Sequence, residues 1–156
     1  MPPCFDVYTW IRTANRPALL TRFVERYVDR SEPGDPRFGA FLRTFVEETP
    51  SPGDAEALAE LRRDANTEAA FSLYLRSKYF QGAIVTLTEE GDVVLGLSLD
   101  EPLNDPDIER QASEVLARLM DEFDGCAGIG GVELAPPQSL IEWAEDGLVM
   151  LRAGST

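Results

Sequence analysis

The spacing of apolar residues changes twice along this chain, and those changes constrain its fold more than any other feature. Between residues 16 and 64 apolar side chains recur three and four apart; from 70 to 99 they alternate; helical spacing then returns as far as Phe123. A three-four repeat lays one apolar stripe along a helix, whereas alternation lays one apolar face on a strand. The middle of the chain is therefore a sheet, with helical segments on either side of it.

The alternating stretch divides into three runs. Phe71, Leu73 and Leu75 form the first, Ala83, Val85 and Leu87 the second, and Val93, Leu95, Leu97 and Leu99 the third. Glu90-Gly91-Asp92 between the last two is a hairpin signal, so residues 70–99 read as a three-stranded antiparallel meander. An earlier strand is expected at Phe5–Ile11. Both sides of its alternation carry apolar or aromatic residues, which suits a position near the centre of the sheet.

Helices are expected after each of these regions. Asn15 can cap a first helix whose apolar face is Leu19, Leu20, Phe23, Val24, Tyr27 and Val28. Asp35-Pro36 is a cap followed by proline in the first turn, and opens a second helix with Phe38, Phe41, Leu42, Phe45 and Val46 inward. A third is expected over 54–64. Asn104/Asp105-Pro106 repeats the device before a long helix lined by Ile108, Ala112, Val115, Leu116, Leu119, Met120 and Phe123, with Gly125 as its C-cap. Short strands at 128–134 and 148–151 and a short helix at 138–145 complete the reading. The whole is one α+β domain over 1–156, an antiparallel sheet of about four to six strands with helices packed on one face. An elaborated ferredoxin-like core fits this order, with the tail from Pro136 onward covering an edge.

Composition narrows the chemistry. No histidine is present, which excludes Ser-His-Asp and Cys-His catalysis, His-ligated metals and His phosphoryl relays. Cys4 and Cys126 cannot make a zinc site unaided. With no basic-then-apolar leader at the N-terminus, they read as two buried free thiols in a cytoplasmic protein. No apolar run is long enough for a membrane helix. Asp105-x-Asp107-x-Glu109 lacks the glycine of a calcium loop, and Gly125-x-x-Gly128-x-Gly130-Gly131 lacks the strand-then-helix setting of a dinucleotide fingerprint. No cofactor and no metal are expected.

Charge is distributed very unevenly. Residues 1–78 carry 12 acidic and 11 basic side chains; residues 79–156 carry 16 and 3, which accounts for most of the net −14. This balance disfavours nucleic acid as a partner, because phosphate contacts need a basic surface. It favours a basic protein, whose approach a one-sided field steers. The acids fall in clusters: Glu89, Glu90 and Asp92 at the hairpin tip, Asp100 and Glu101 after the meander, Asp121, Glu122 and Asp124 at the end of the long helix, and Glu142, Glu145 and Asp146 near the C-terminus. Each cluster can also be read as a solvated surface. Asp121, Glu122 and Asp124 oppose the helix dipole, which marks them for a partner-facing role. Arg22, Arg26 and Arg30 form one helical stripe, expected to pair locally with Glu25 and Asp29.

Tyr8 and Tyr74 have the opposite parity to the core residues of their strands. They mark either an exposed aromatic face or a second small core under the C-terminal segment, with Trp143 packed there. Two functions follow. The first is a non-catalytic acidic protein-binding module, an inhibitor or immunity-type protein that neutralises a basic partner such as a toxin. Its surface would be built from the acids at 89, 90, 92, 121, 122, 124, 142, 145 and 146, with Tyr74 and Trp143 as aromatic anchors. The second is a small-ligand protein or histidine-independent enzyme using carboxylates and tyrosines in a cleft.

Overall fold

Residues 5–11 are apolar on both sides of their alternation because both sides are covered. In a computed structural model that describes residues 3–63, 70–100 and 106–156, β1 (Cys4–Ile11) lies inside a six-stranded sheet. It is antiparallel to β4 (Val93–Asp100) on one side and to β5 (Ala127–Val132) on the other. β2 (Phe71–Leu75) and β3 (Gly82–Leu87) extend the sheet beyond β4, and the short β6 (Leu151–Gly154) extends it beyond β5. The order is β2-β3-β4-β1-β5-β6, antiparallel throughout. The expected meander is β2-β3-β4. The inner strands β3-β4-β1-β5 have the order and sense of a ferredoxin-like β-α-β-β-α-β core, and β2 and β6 are additions at its two edges.

One face of the sheet presents Phe5, Val7 and Ile11 beside Leu99, Leu97 and Val93, and continues through Val85 and Leu73. Helices α1 (Arg16–Tyr27), α2 (Phe38–Phe45), α3 (Asp54–Ala59) and α4 (Ile108–Phe123) bring their apolar residues to this core. α4 approaches so closely that a Cβ on Gly128 would stand 2.7 Å from a Leu116 methyl and 2.8 Å from the Met120 sulfur. Glycine is what lets the helix lie on β5.

Helix ends follow local chemistry, with two departures from expectation. Asn15 caps α1 as anticipated, accepting from the Ala18 amide at 3.2 Å. Asp35 does not cap α2. It accepts from the amide and guanidinium of Arg37, and the helix starts at Phe38. α4 starts behind Asp107, while Asn104 and Asp105 lie outside the described residues. Its left-handed C-cap is Asp124 (φ 57°), not Gly125. Gly125 serves a different need, since a Cβ there would stand 1.9 Å from Thr9 Oγ1.

The opposite face of the sheet is also buried, and here the C-terminal tail does more than cover an edge. Tyr8, Trp10, Ile84, Val94, Ala127 and Ile129 form a second core with Leu134 and Trp143. Residues 134–150, including α5 (Leu140–Glu145), lie across this face before the chain returns as β6. Helices therefore lie on both faces, because the second side of β1 carries Tyr8 and Trp10 and is too apolar to leave in water. The Tyr8 hydroxyl donates to the Leu134 carbonyl, the Gln138 amide group to Ser72 Oγ (3.1 Å), and the Glu89 N–H to the Gln138 carbonyl (2.9 Å).

The two thiols are free and half-buried rather than fully buried. Cys4 pairs with Asp100 at one end of β1, while the Cys126 amide bonds to the Trp10 carbonyl near the other. Six residues of strand separate these points by about 20 Å, well beyond disulfide reach.

Candidate partner interface

Five of the sequence-selected acids accept hydrogen bonds within the fold, four of them from another part of the chain or another element and Asp146 only from a neighbouring amide. Asp92 accepts from the Trp10 indole N–H at 2.9 Å and lies 3.5 Å from the Arg12 guanidinium. Glu90 accepts from the Leu140 amide at the start of α5. Glu142 takes a bidentate pair from Arg63, which holds its carboxyl below the usual range, and also accepts from the Gln138 amide. These residues tie the hairpin tip and α5 together. Beside them, the Glu89 side chain is exposed and makes no hydrogen bond or ion pair among the described residues.

Glu122 is the fourth. It accepts from the Tyr27 hydroxyl at 2.7 Å and pairs with Arg26 at 3.1 Å, while Arg22 donates to the Glu122 carbonyl at 2.6 Å. The Arg22 guanidinium also lies over the Phe123 ring. Two arginines of the stripe, Arg22 and Arg26, thus clamp the negative end of α4 onto α1 in place of pairing with Glu25 and Asp29, and Arg30 takes no part. The clamp offsets the dipole penalty that made Glu122 look partner-facing.

Asp121 and Asp124 differ from their neighbour. Both are exposed, and neither side chain has a hydrogen bond or ion pair among the described residues. Both line a groove of about 550 Å³ between the flank of α4 and β6, floored by Leu116, Met120, Leu151 and Ala153. The groove exists because α4 packs on β1 and β5 and stops short of β6. The outer edge of β6 has no strand partner among the described residues. Arg152 also lines the groove, but its guanidinium donates to the Trp143 carbonyl at 3.1 Å and the Ala144 carbonyl at 3.4 Å and pairs with neither aspartate.

The aromatic anchors have separate fates. Tyr74 is 57 % exposed, next to Ile84 in the sheet. Trp143 is only 4 % exposed and meets Trp10 edge to face, so it offers no surface to a partner. Its burial follows from α5 being the helix that closes the second core. The outer side of the same segment exposes Ile141, Leu148 and Met150 near Glu145 and Asp146. Asp146 accepts from the Leu148 amide at 2.9 Å.

One carboxylate escaped the sequence reading. Asp6 is 7 % exposed on the second face, accepts from Ser98 Oγ at 2.6 Å, and is pushed up to about 6, chiefly by burial. The available signal was an acid placed within a strand apolar on both sides. Among the described residues no group of three or more acids or cysteines is arranged to hold a metal, and no helix is long and apolar enough to cross a membrane. Comparison with protein-family models, curated proteins and solved structures finds no match.

Proposed function

We propose that this chain is a non-catalytic, acidic protein-binding module that captures a basic protein, in the manner of an inhibitor or immunity-type protein neutralising a toxin. The observation that carries this reading is the pair Asp121 and Asp124. Among the described residues they stand without internal partners at the negative end of α4, where they are locally unfavourable, and they line a groove beside an unpaired strand edge. Carboxylates kept at a local cost and aimed at an apolar-floored groove suit arginine or lysine side chains from a partner. The surrounding charge excess would speed encounter.

The test is affinity capture from native lysate at low and high salt, with the wild-type chain and an Asp121→Asn/Asp124→Asn variant side by side. A basic protein retained by wild type, weakened by salt and lost on neutralisation supports the reading. A protein retained equally by both, or no specific protein at low salt, rejects this surface.

A further inference from the structure

A second concave site lies at the far side of the molecule and differs from the groove in chemistry. It is a cleft of about 380 Å³ between α2, α3 and the β3–β4 turn. Its walls are Phe45, Leu58, Phe71 and Leu87, and Phe45 and Phe71 form a ring pair at 5.6 Å. Two guanidinium groups, Arg16 and Arg62, line it as well.

Arg16 and Arg62 are among six arginines, with Arg22, Arg30, Arg118 and Arg152, that have no carboxylate partner among the described residues, and they are the two of these that line this cleft. Acids outnumber bases two to one, and Arg12, Arg26, Arg37, Arg43, Arg63, Arg76 and Arg110 all have carboxylate partners. The Arg16 guanidinium instead lies 5.4 Å from the centre of the Phe45 ring. This stacking holds a cation against the apolar wall and leaves its N–H donors free for an anion. Glu89 stands at the rim. A carboxylate there disfavours a dianion such as a phosphate monoester, and leaves a singly charged anion with an apolar body as the best match.

We propose that this cleft binds a small amphipathic monocarboxylate, with its apolar part against Phe45, Leu58, Phe71 and Leu87 and its carboxylate held by Arg16 and Arg62. The volume lies within the range of small-molecule sites, and apolar walls with a few charged groups are their usual construction. The site is independent of the partner reading, because none of its residues belongs to the α4–β6 groove.

The test uses octanoate as probe, titrated into isotope-labelled protein and followed through backbone amide shifts, with octylamine, octan-1-ol and inorganic phosphate as controls. Octanoate should give saturable shifts at Leu58, Ala59, Phe71 and Leu87. Octylamine and phosphate should give none there, and octan-1-ol should bind more weakly than octanoate. Arg62→Gln, at an exposed position, should weaken octanoate about tenfold, as expected for the loss of a charge-assisted contact. Ala59→Phe, which fills the cleft, should abolish the shifts; if that variant does not fold, Arg62→Gln decides alone. Equal affinity for octanoate and octan-1-ol, an unchanged affinity in Arg62→Gln, or the absence of saturable shifts at these residues would overturn the proposal.

Discussion

Trp143 meets Trp10 edge to face, with ring centroids 5.5 Å apart and planes at 77°. This contact joins the C-terminal cover to the central strand across 133 residues of chain. Trp143 is the residue of α5 buried in the second core, so its loss should free the cover from the sheet. Trp143→Ala is expected to cost about 3–5 kcal/mol in denaturant unfolding, and Trp143→Phe much less. A cost below about 1 kcal/mol for the alanine variant would mean that the cover contributes little to the fold.

Asp6 sets a pH dependence whose sign is unusual for a carboxylate. Burial raises its folded value to about 6, and the Ser98 hydroxyl and Leu134 backbone bonds only partly offset that rise. A carboxyl whose folded value lies above its unfolded value near 3.9 favours folding in its protonated form. Its contribution is complete below about pH 4 and is lost as pH rises through about 6. A shift of this size corresponds to about 2–3 kcal/mol. Asp6→Asn should therefore be more stable than wild type near neutral pH, and the difference should vanish below about pH 4. Unfolding midpoints measured from pH 4 to 8 decide this; a parallel pair of curves would rule it out.

Asp54 should act in the opposite sense and in a different window. The Arg43 guanidinium, bidentate at 2.8 and 2.9 Å, and the Ser51 amide hold its carboxyl at about 2. A depressed folded value gives stability that is present above the unfolded value near 3.9 and lost as pH falls toward 2. Asp54→Asn should remove part of the acid-unfolding transition below pH 4 and leave the slope between pH 4 and 6 unchanged. Acid titration of both variants separates the two residues.

The sheet was legible where one period ran long enough to be distinctive. Three alternating runs and the Glu90-Gly91-Asp92 turn define β2, β3 and β4, and the doubly apolar pattern of 5–11 marks β1 as central. α5 was harder to place, because six residues are too few to show which face they bury. Tyr8 and Trp10 carried the signal that something must cover the second side. The acidic clusters read less well, since their neutralising partners are distant in sequence: Arg26 meets Glu122, and Arg63 meets Glu142 79 residues away. Local spacing favours Glu25 and Asp29 for the arginine stripe, and only tertiary packing shows that Arg22 and Arg26 face another helix. Asp121, Glu122 and Asp124 look equivalent as a string, yet the helix turns Glu122 inward and the other two toward β6.

That division gives the sharpest test of the surface. Asp121→Asn and Asp124→Asn remove charges that oppose the α4 dipole and have no partner, so each should leave stability unchanged or raise it by about 0.3–1 kcal/mol. Glu122→Gln removes the Arg26 ion pair and weakens the bond to the Tyr27 hydroxyl, and should cost about 0.5–1.5 kcal/mol. The effects on partner capture should run the other way, with the two aspartate variants slowing association and Glu122→Gln nearly silent. Unfolding curves and association rates on the same three variants provide the comparison. If Asp121→Asn and Asp124→Asn proved destabilising, these aspartates would have structural roles, and the argument that they are kept for a partner would lose its basis.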